Sequence, residues 1–476
     1  MNNQKIIDYV NDQINRADVR AKAYITDEAG KTRAKRSAFL VLNKYLNDYT
    51  SGRNTHNRWV AISGLRGTGK TTLLAQLYSE LDVPKQRKLF VSADHIVQLL
   101  DSSIADVVQA YESIVGESIE RVSLPVYLFI DEVQYDSKWA IALKTLYDRS
   151  KNIFILSTGS SALEINTNPD TARRVITETL LPMSFTEYQT ISTGIYPSQG
   201  LGASLRAGIL DANTAQDIYR VFADNKPKIA AYWAQVDSHE IPKYLQYGTL
   251  PFMAATNNPA IAFDQLERSI DRILSADVAK IGQFNADTIA RIPQILYSVA
   301  DSDALSLNSM SNNLNIPRPT LTRIFGALEV AEVLFKLEPQ GSHTSQIRQA
   351  AKYVFTTPAI RAMYFSLTGS TRDTQQVLGH LLEDTVAMYL RRMFKDRSLT
   401  SSINYSSQAG TADFIVRNKQ VVYAIEVGYG KKTTRQIENT KNLPANRIGI
   451  LLSSNELAVD PANNIVTVPI KEFLLI

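Results

Sequence analysis

Gly64-Leu65-Arg66-Gly67-Thr68-Gly69-Lys70-Thr71-Thr72 follows the apolar run Trp59-Val60-Ala61-Ile62 after a single serine. The spacing G-x-x-x-x-G-K-T is that of a phosphate-binding P-loop. Such a loop needs a turn without side chains, so that successive backbone N–H groups close around phosphate oxygens. Gly64, Gly67 and Gly69 permit it because glycine accepts positive φ without steric penalty. Lys70 is placed to reach the β- and γ-phosphates, and Thr71 to give a hydroxyl to Mg²⁺. Leu73-Leu74-Ala75-Gln76-Leu77 continues as a helix, whose N-terminal dipole points at the same anion. A glycine-rich turn matching by coincidence would lack this strand–loop–helix context. The stretch predicts nucleotide binding.

Working outward, Lys88-Leu89-Phe90-Val91-Ser92 reads as a second strand and Ile104 to Val115 as a helix. Pro125-Val126-Tyr127-Leu128-Phe129-Ile130 is a continuous apolar run, the pattern of a parallel strand covered on both faces. It ends in Asp131-Glu132, where ligands bind in open α/β sheets. Asp131 suits the Walker B role of holding Mg²⁺, and Glu132 that of the base polarising the attacking water. Asn152-Ile153-Phe154-Ile155-Leu156 is a further buried strand, ending in Ser157-Thr158-Gly159-Ser160-Ser161. Thr158 and Ser160 are candidates for contact with the γ-phosphate or its water; a plain turn is the competing reading. Arg173 or Arg174 is a candidate for supplying transition-state charge, to a neighbouring subunit or in cis. Strands alternating with helices make this region a three-layer α/β unit.

The 476 residues predict two to four domains, and 44% hydrophobic with 21% charged residues is an ordinary globular composition. A net charge of +4 permits nucleic-acid contact without demanding it. The absence of cysteine excludes disulfides, thiol catalysis and cysteine-ligated zinc. The N-terminus leads into no apolar core of signal-peptide type, and no apolar run approaches the roughly 20 residues that span a bilayer. The expectation is a cytoplasmic protein without membrane partners. Residues 1–50 read as a helical lead-in. Its basic run Lys31-Thr32-Arg33-Ala34-Lys35-Arg36 reads as a solvated helix face rather than a nucleic-acid patch.

Residues 185–285 read as mainly helical, with a loop-rich stretch near Thr193–Gly208. Ile289 to Val299 and Ser306 to Leu314 are helical. After the turn Asn315-Ile316-Pro317, a third helix over Arg318–Leu328 has helix-turn-helix spacing, and Val330–Leu337 reads as a wing strand. Arg318, Thr320, Thr322 and Arg323 would then face a major groove of double-stranded DNA. Two arginines are a thin electrostatic footprint, and such folds also serve as protein-packing modules. At the C-terminus, Glu383 on an amphipathic helix and Asp413 and Glu426 on hairpin-paired strands could meet at one metal ion, with hard oxygens suited to Mg²⁺.

Together these motifs resemble the bacterial and archaeal AAA+-like P-loop ATPases in which a winged helix and a restriction-endonuclease-like domain follow the ATPase. The resemblance rests on Gly64–Thr72, Phe129-Ile130-Asp131-Glu132-Val133-Gln134 with Trp139, Thr158-Gly159-Ser160-Ser161, and Arg174-Val175 before Leu181-Pro182-Met183-Ser184-Phe185-Thr186-Glu187-Tyr188. Tyr244-Leu245, Gly248-Thr249-Leu250-Pro251 and the helix-turn-helix segment extend it. It implies an α/β P-loop core over residues 51–190, a helical lid-like region over 191–285, a winged helix over 286–372 and a nuclease-like α/β domain over 373–476. It also implies ATP rather than GTP, with Lys70, Thr71, Asp131 and Glu132 in their usual roles. The nuclease-like core of Glu383, Asp413 and Glu426 departs from the pattern. Where an active member carries Glu-x-Lys, this chain has Glu426-Val427-Gly428, with Lys431 and Lys432 beyond. A degenerate, docking or nucleic-acid-binding domain is therefore favoured over a working nuclease. The leading function is an ATP hydrolase acting on a DNA or protein partner or through self-association. An ATP-gated DNA nuclease and a nucleotide-switched DNA-binding regulator are the alternatives.

Overall fold

Apolar runs too short for helices and flanked by helical segments have one stable arrangement, a parallel sheet buried on both faces. Strands β1 (Trp59–Ser63), β2 (Lys88–Ser92), β3 (Val126–Asp131), β4 (Ile153–Thr158) and β5 (Ile176–Thr179) form such a sheet, in the order β2-β3-β4-β1-β5. Every pairing is parallel. The computed structural model describes residues 2–159, 171, 173–237, 239–256, 258–302, 307–341, 351–367, 374–394 and 400–476. The chain divides into one unit of Met1–Leu181 with Val330–Glu332 and another of Pro182–Glu329 with Val333–Ile476.

In the first unit the helices are α1 (Asn2–Ile25), α2 (Ala38–Thr50), α3 (Lys70–Glu80), α4 (Ala93–Leu100), α5 (Ile104–Val115) and α6 (Trp139–Arg149). The two-residue period of a strand sends alternate side chains to opposite layers. Trp59 and Ala61 pack with residues of α4, α5 and α6, whereas Val60 and Ile62 pack with α2 and α3. Helix α1 contributes to both layers, through Ile6, Val10 and Ile14 to the first and Ala17 and Ala21 to the second. Strand β5 is an addition to the expected set. Its sequence Ile-Thr-Glu-Thr is half-buried at the sheet edge and carries no apolar run to mark it.

The basic run is partly engaged within the chain. Arg33 donates to the carbonyl of Thr26 at 3.0 Å, Lys35 pairs with Glu80, and Arg36 is buried. The expected helix face is not formed, since the run lies between α1 and α2, with Lys31 and Lys35 exposed.

The second unit carries an eight-stranded mixed sheet among the described residues. Its strands are β6 (Leu334–Pro339), β7 (Lys352–Phe355), β8 (Ser401–Tyr405), β9 (Phe414–Asn418), β10 (Val421–Val427), β11 (Ile448–Ser453), β12 (Ala458–Asp460) and β13 (Ile465–Pro469), in the order β12-β13-β11-β10-β9-β8-β6-β7. Helix Thr374–Phe394 packs on this sheet through Leu382, Val386, Tyr389 and Leu390 against residues such as Phe414, Tyr423 and Ile450. Preceding β6 are helices Ala286–Asp301, Leu307–Leu314 and Arg318–Val330, and β6 and β7 pair antiparallel. The strand expected from Val330 starts only at Leu334, because the helix continues to Val330 and Glu332 then turns the chain at φ +60°. Ser306 lies outside the described residues.

The stretch read as loop-rich near Thr193–Gly208 contains helix Leu201–Leu210. The two glycines within that helix, Gly202 and Gly208, serve close approach. A Cβ on Gly202 would lie 2.8 Å from the carbonyl oxygen of Leu475, and one on Gly208 would strike the side chain of Val221.

Candidate active site

The chain leaves β1 for the far edge of the sheet at β2 and returns through β3 and β4 to lie again beside β1. That reversal opens a crevice at the carboxyl ends of the strands. The P-loop follows β1, Asp131-Glu132 ends β3, and Thr158 ends the intervening β4. Residues far apart in sequence therefore meet there.

The loop has the backbone its sequence requires. Gly64, Gly67 and Gly69 take φ of +140°, +87° and +94°. A Cβ on Gly64 would also come within 2.5 Å of the Leu180 carbonyl oxygen, so glycine is required twice over. Lys70 begins α3, and its buried ammonium donates to the carbonyls of Gly64 at 2.9 Å and Leu65 at 3.1 Å. Thr68 folds its hydroxyl onto the Leu65 carbonyl at 2.9 Å.

Asp131 joins the three strand ends. Its Oδ2 accepts from the Thr71 hydroxyl at 2.7 Å, and its Oδ1 accepts from the Thr158 hydroxyl. Burial, followed by the neighbouring Glu132 charge, pushes the Asp131 carboxyl above its usual range, while the two hydroxyl donors act against that shift. The Thr71 hydroxyl and Asp131 carboxylate form a hard-oxygen pair whose chemistry fits Mg²⁺. Thr158 also accepts from the Glu132 backbone N–H at 2.9 Å, so it orients both acidic residues. Ser160 and Ser161 lie outside the described residues. Glu132 itself sits at φ +53°, a left-handed conformation uncommon for a residue with a Cβ and enriched at functional sites. Its Oε2 accepts from the Gln134 amide and lies 3.5 Å from the guanidinium of Arg66.

Arg173 and Arg174 are not brought to this cluster. Arg173 is exposed, and Arg174 donates to Asp148 at 2.7 Å. Asp148 lies near the end of α6, just before the start of β4, toward the amino ends of the strands and away from the crevice.

One residue of the site had no motif to announce it. Arg36, 7% exposed, donates through Nη1 to the Thr68 carbonyl at 2.9 Å and through Nη2 to the Leu181 carbonyl at 2.8 Å. It braces the P-loop from outside the motif. Within the basic run nothing but tertiary packing distinguishes it from its neighbours.

In the second unit Glu383, Asp413 and Glu426 do come together. Asp413 stands just before β9 and Glu426 on β10, where Ile425 pairs with Phe414. Burial, followed by the charges of Glu383 and Glu426, holds the Asp413 carboxyl well above its usual range. Two lysines enter the cluster. Lys352 of β7 pairs with Glu383, and Lys432 donates to Glu426 at 2.7 Å. Lys432 lies against Gly428, where any Cβ would collide with its side chain. Asn455 fixes that loop, its amide donating to the Lys432 carbonyl at 2.9 Å. The ammonium missing from the strand thus reaches the carboxylate from four residues further on. Among the described residues, no group of three or more His, Asp or Glu side chains is placed to hold a metal ion. Lysine ammonium groups pair two of the three carboxylates, and Asp413 accepts from the Val427 N–H at 2.8 Å.

In helix Arg318–Val330 the exposed positions include Arg318, Thr322, Arg323 and Glu329. Arg323 donates to the Gly282 carbonyl at 2.6 Å and lies over the ring of Phe284, while Thr322 bonds back to the Arg318 carbonyl. Arg323 is therefore engaged within the chain. Among the described residues no helix is long and apolar enough to cross a membrane.

The parallel sheet, the P-loop and the strand-end carboxylates define an AAA+-like P-loop ATPase domain, and the model of the AAA domain family matches residues 56–189. A domain of unknown function matches residues 238–371. Over 447 residues the chain is 32% identical to the uncharacterized protein MJ1637 of Methanocaldococcus jannaschii, covering 93% of this chain and 89% of that protein. The chain belongs to the family of that archaeal protein. Among solved structures it is similar to Caenorhabditis elegans PCH-2, at 16% identity over 66% of this chain and 71% of that one, with a TM-score of 0.26. It is also similar to the Thermotoga maritima RuvB Holliday junction branch migration motor, at 15% identity over 66% and 94%, with a TM-score of 0.29. At those scores the likeness decides nothing about this chain.

Proposed function

We propose that the protein is a Mg²⁺-dependent ATP hydrolase that couples its nucleotide state to a macromolecular partner. The observation that carries this reading is the chain Thr71–Asp131–Thr158–Glu132, which joins the P-loop to a base at the carboxyl ends of three adjacent strands. The backbone N–H groups of Gly64–Thr72 and the Lys70 ammonium bind and orient the phosphates. Thr71 and Asp131 would hold Mg²⁺, which when bound offsets phosphate charge. Glu132 takes a proton from water as the water oxygen bonds to the γ-phosphorus. The bond to the bridging oxygen breaks, and ADP leaves with its electron pair. Glu132→Gln should retain ATP binding and abolish turnover; turnover at the wild-type rate in that variant would refute the base assignment.

The region from residue 286 onward is read as the partner-facing part, with a winged helix over 286–372 and a nuclease-like domain over 373–476. The engagement of Glu383 by Lys352 favours docking over cutting. An ATP-gated DNA nuclease is the second reading, and the reach of Lys432 to Glu426 is the observation in its favour.

A further inference from the structure

We propose that Arg66, within the P-loop itself, is the arginine that supplies transition-state charge in cis, and that Glu132 and the γ-phosphate compete for its guanidinium. This inference rests on the ATPase reading above and assigns a role to a position that the motif leaves unspecified.

Three observations carry it. First, Arg66 is the third residue of the motif, on the loop whose main chain wraps the phosphates, and its side chain is only 15% exposed. Its direction is fixed, since Nη2 lies 3.4 Å from the Tyr135 hydroxyl and 3.5 Å from Glu132 Oε2. Tyr135 belongs to the short 3₁₀ turn Val133–Tyr135 that follows Glu132, so the guanidinium spans from the loop to the base. Second, Glu132 is held on both sides. Its N–H is tied to Thr158, its carboxylate is bound by Gln134 and faces Arg66, and its backbone stays left-handed. Third, the arginines favoured by position after the core strands lie elsewhere, with Arg174 engaged by Asp148 toward the amino ends of the strands.

The physical consequence is an exchange. A guanidinium on a carboxylate is a charge-assisted contact, and a phosphoryl group offers the same planar fork more oxygens and more charge. Drawing Arg66 toward the γ-phosphate takes it from Glu132. That contact places positive charge on the equatorial oxygens as negative charge develops there, and it leaves the Glu132 carboxylate to accept the proton of the attacking water. Bond changes are those given above; Arg66 neither gains nor loses a proton.

The test uses the full chain with Mg²⁺. Turnover, KM for ATP, and affinity for ADP alone and for ADP with aluminium fluoride, a mimic of the transferring phosphoryl group, are measured for wild type, Arg66→Ala and Arg66→Lys. The expected result for Arg66→Ala is a kcat lower by about 10³-fold, the low end of the range for a transition-state arginine. ADP affinity should change less than about threefold while the preference for ADP with aluminium fluoride over ADP disappears, because the lost contact belongs to the transition state. Arg66→Lys should recover part of kcat, as a point charge without the fork. A kcat for Arg66→Ala within tenfold of wild type would overturn the inference. So would equal losses of kcat and ADP affinity that lysine does not repair, since those describe a structural role. Wild-type protein that binds ATP but does not turn it over would instead defeat the hydrolase reading itself.

Discussion

Replacing Arg36 with Met keeps the length and apolar stem of the side chain and removes the guanidinium fork. Two buried carbonyls, of Thr68 and Leu181, then lose donors that now stand at 2.9 and 2.8 Å. Hydrogen bonds from a charged donor contribute about 1.5–3 kcal/mol each, so the variant should lose about 3 kcal/mol or more of unfolding free energy. Little of this is screened, because Arg36 is 7% exposed. The Thr68 carbonyl belongs to the turn that presents N–H groups to phosphate, so ADP affinity should fall by about tenfold, equivalent to 1.4 kcal/mol. Urea denaturation followed by circular dichroism gives the first quantity, and isothermal titration with Mg-ADP gives the second. Arg36→Lys should recover only part of either, since one ammonium does not span both carbonyls in the geometry of the fork. A methionine variant with wild-type stability and wild-type ADP affinity would refute the view that this side chain braces the loop.

In the second unit, Arg361 binds fully buried Asp384 at 2.6 and 3.0 Å and the carbonyl of Ala300 at 2.8 Å. Asp384→Ala strands the guanidinium and should cost about 3–5 kcal/mol by denaturant titration, whereas Asp384→Leu combined with Arg361→Met should recover most of it. Gly64→Ala places a Cβ in a left-handed turn against the Leu180 carbonyl and should abolish measurable ADP binding with a stability loss of about 1–3 kcal/mol. Supercoiled plasmid incubated with the protein, ATP and Mg²⁺ or Mn²⁺ should remain intact, because Lys352 occupies Glu383. Cleavage that Asp413→Ala removes would reverse that assignment.

The sequence by itself determined the nucleotide-binding unit. A P-loop is a local object in which spacing, glycine and lysine specify backbone shape and charge within nine residues, and a buried parallel strand announces itself as an apolar run. Asp131 and Glu132 were legible for the same reason, lying at the end of such a run. Strand β5 was not, because an edge strand of Ile176-Thr177-Glu178-Thr179 needs no apolar run. Tertiary structure alone decided what happens to charged side chains. Arg36 is one of four basic residues in a short run, yet it alone is buried against the P-loop. Gly428 lacks the lysine expected on its strand, yet Lys432 folds back over it to Glu426. Arg66 is an unspecified position of its motif, yet it faces Glu132 across the crevice. The physical reason is common to all three. Whether a long cationic side chain is solvated or committed depends on which carbonyl or carboxylate the fold brings within its reach, and that partner lies tens of residues away or across a turn whose path the local pattern leaves open.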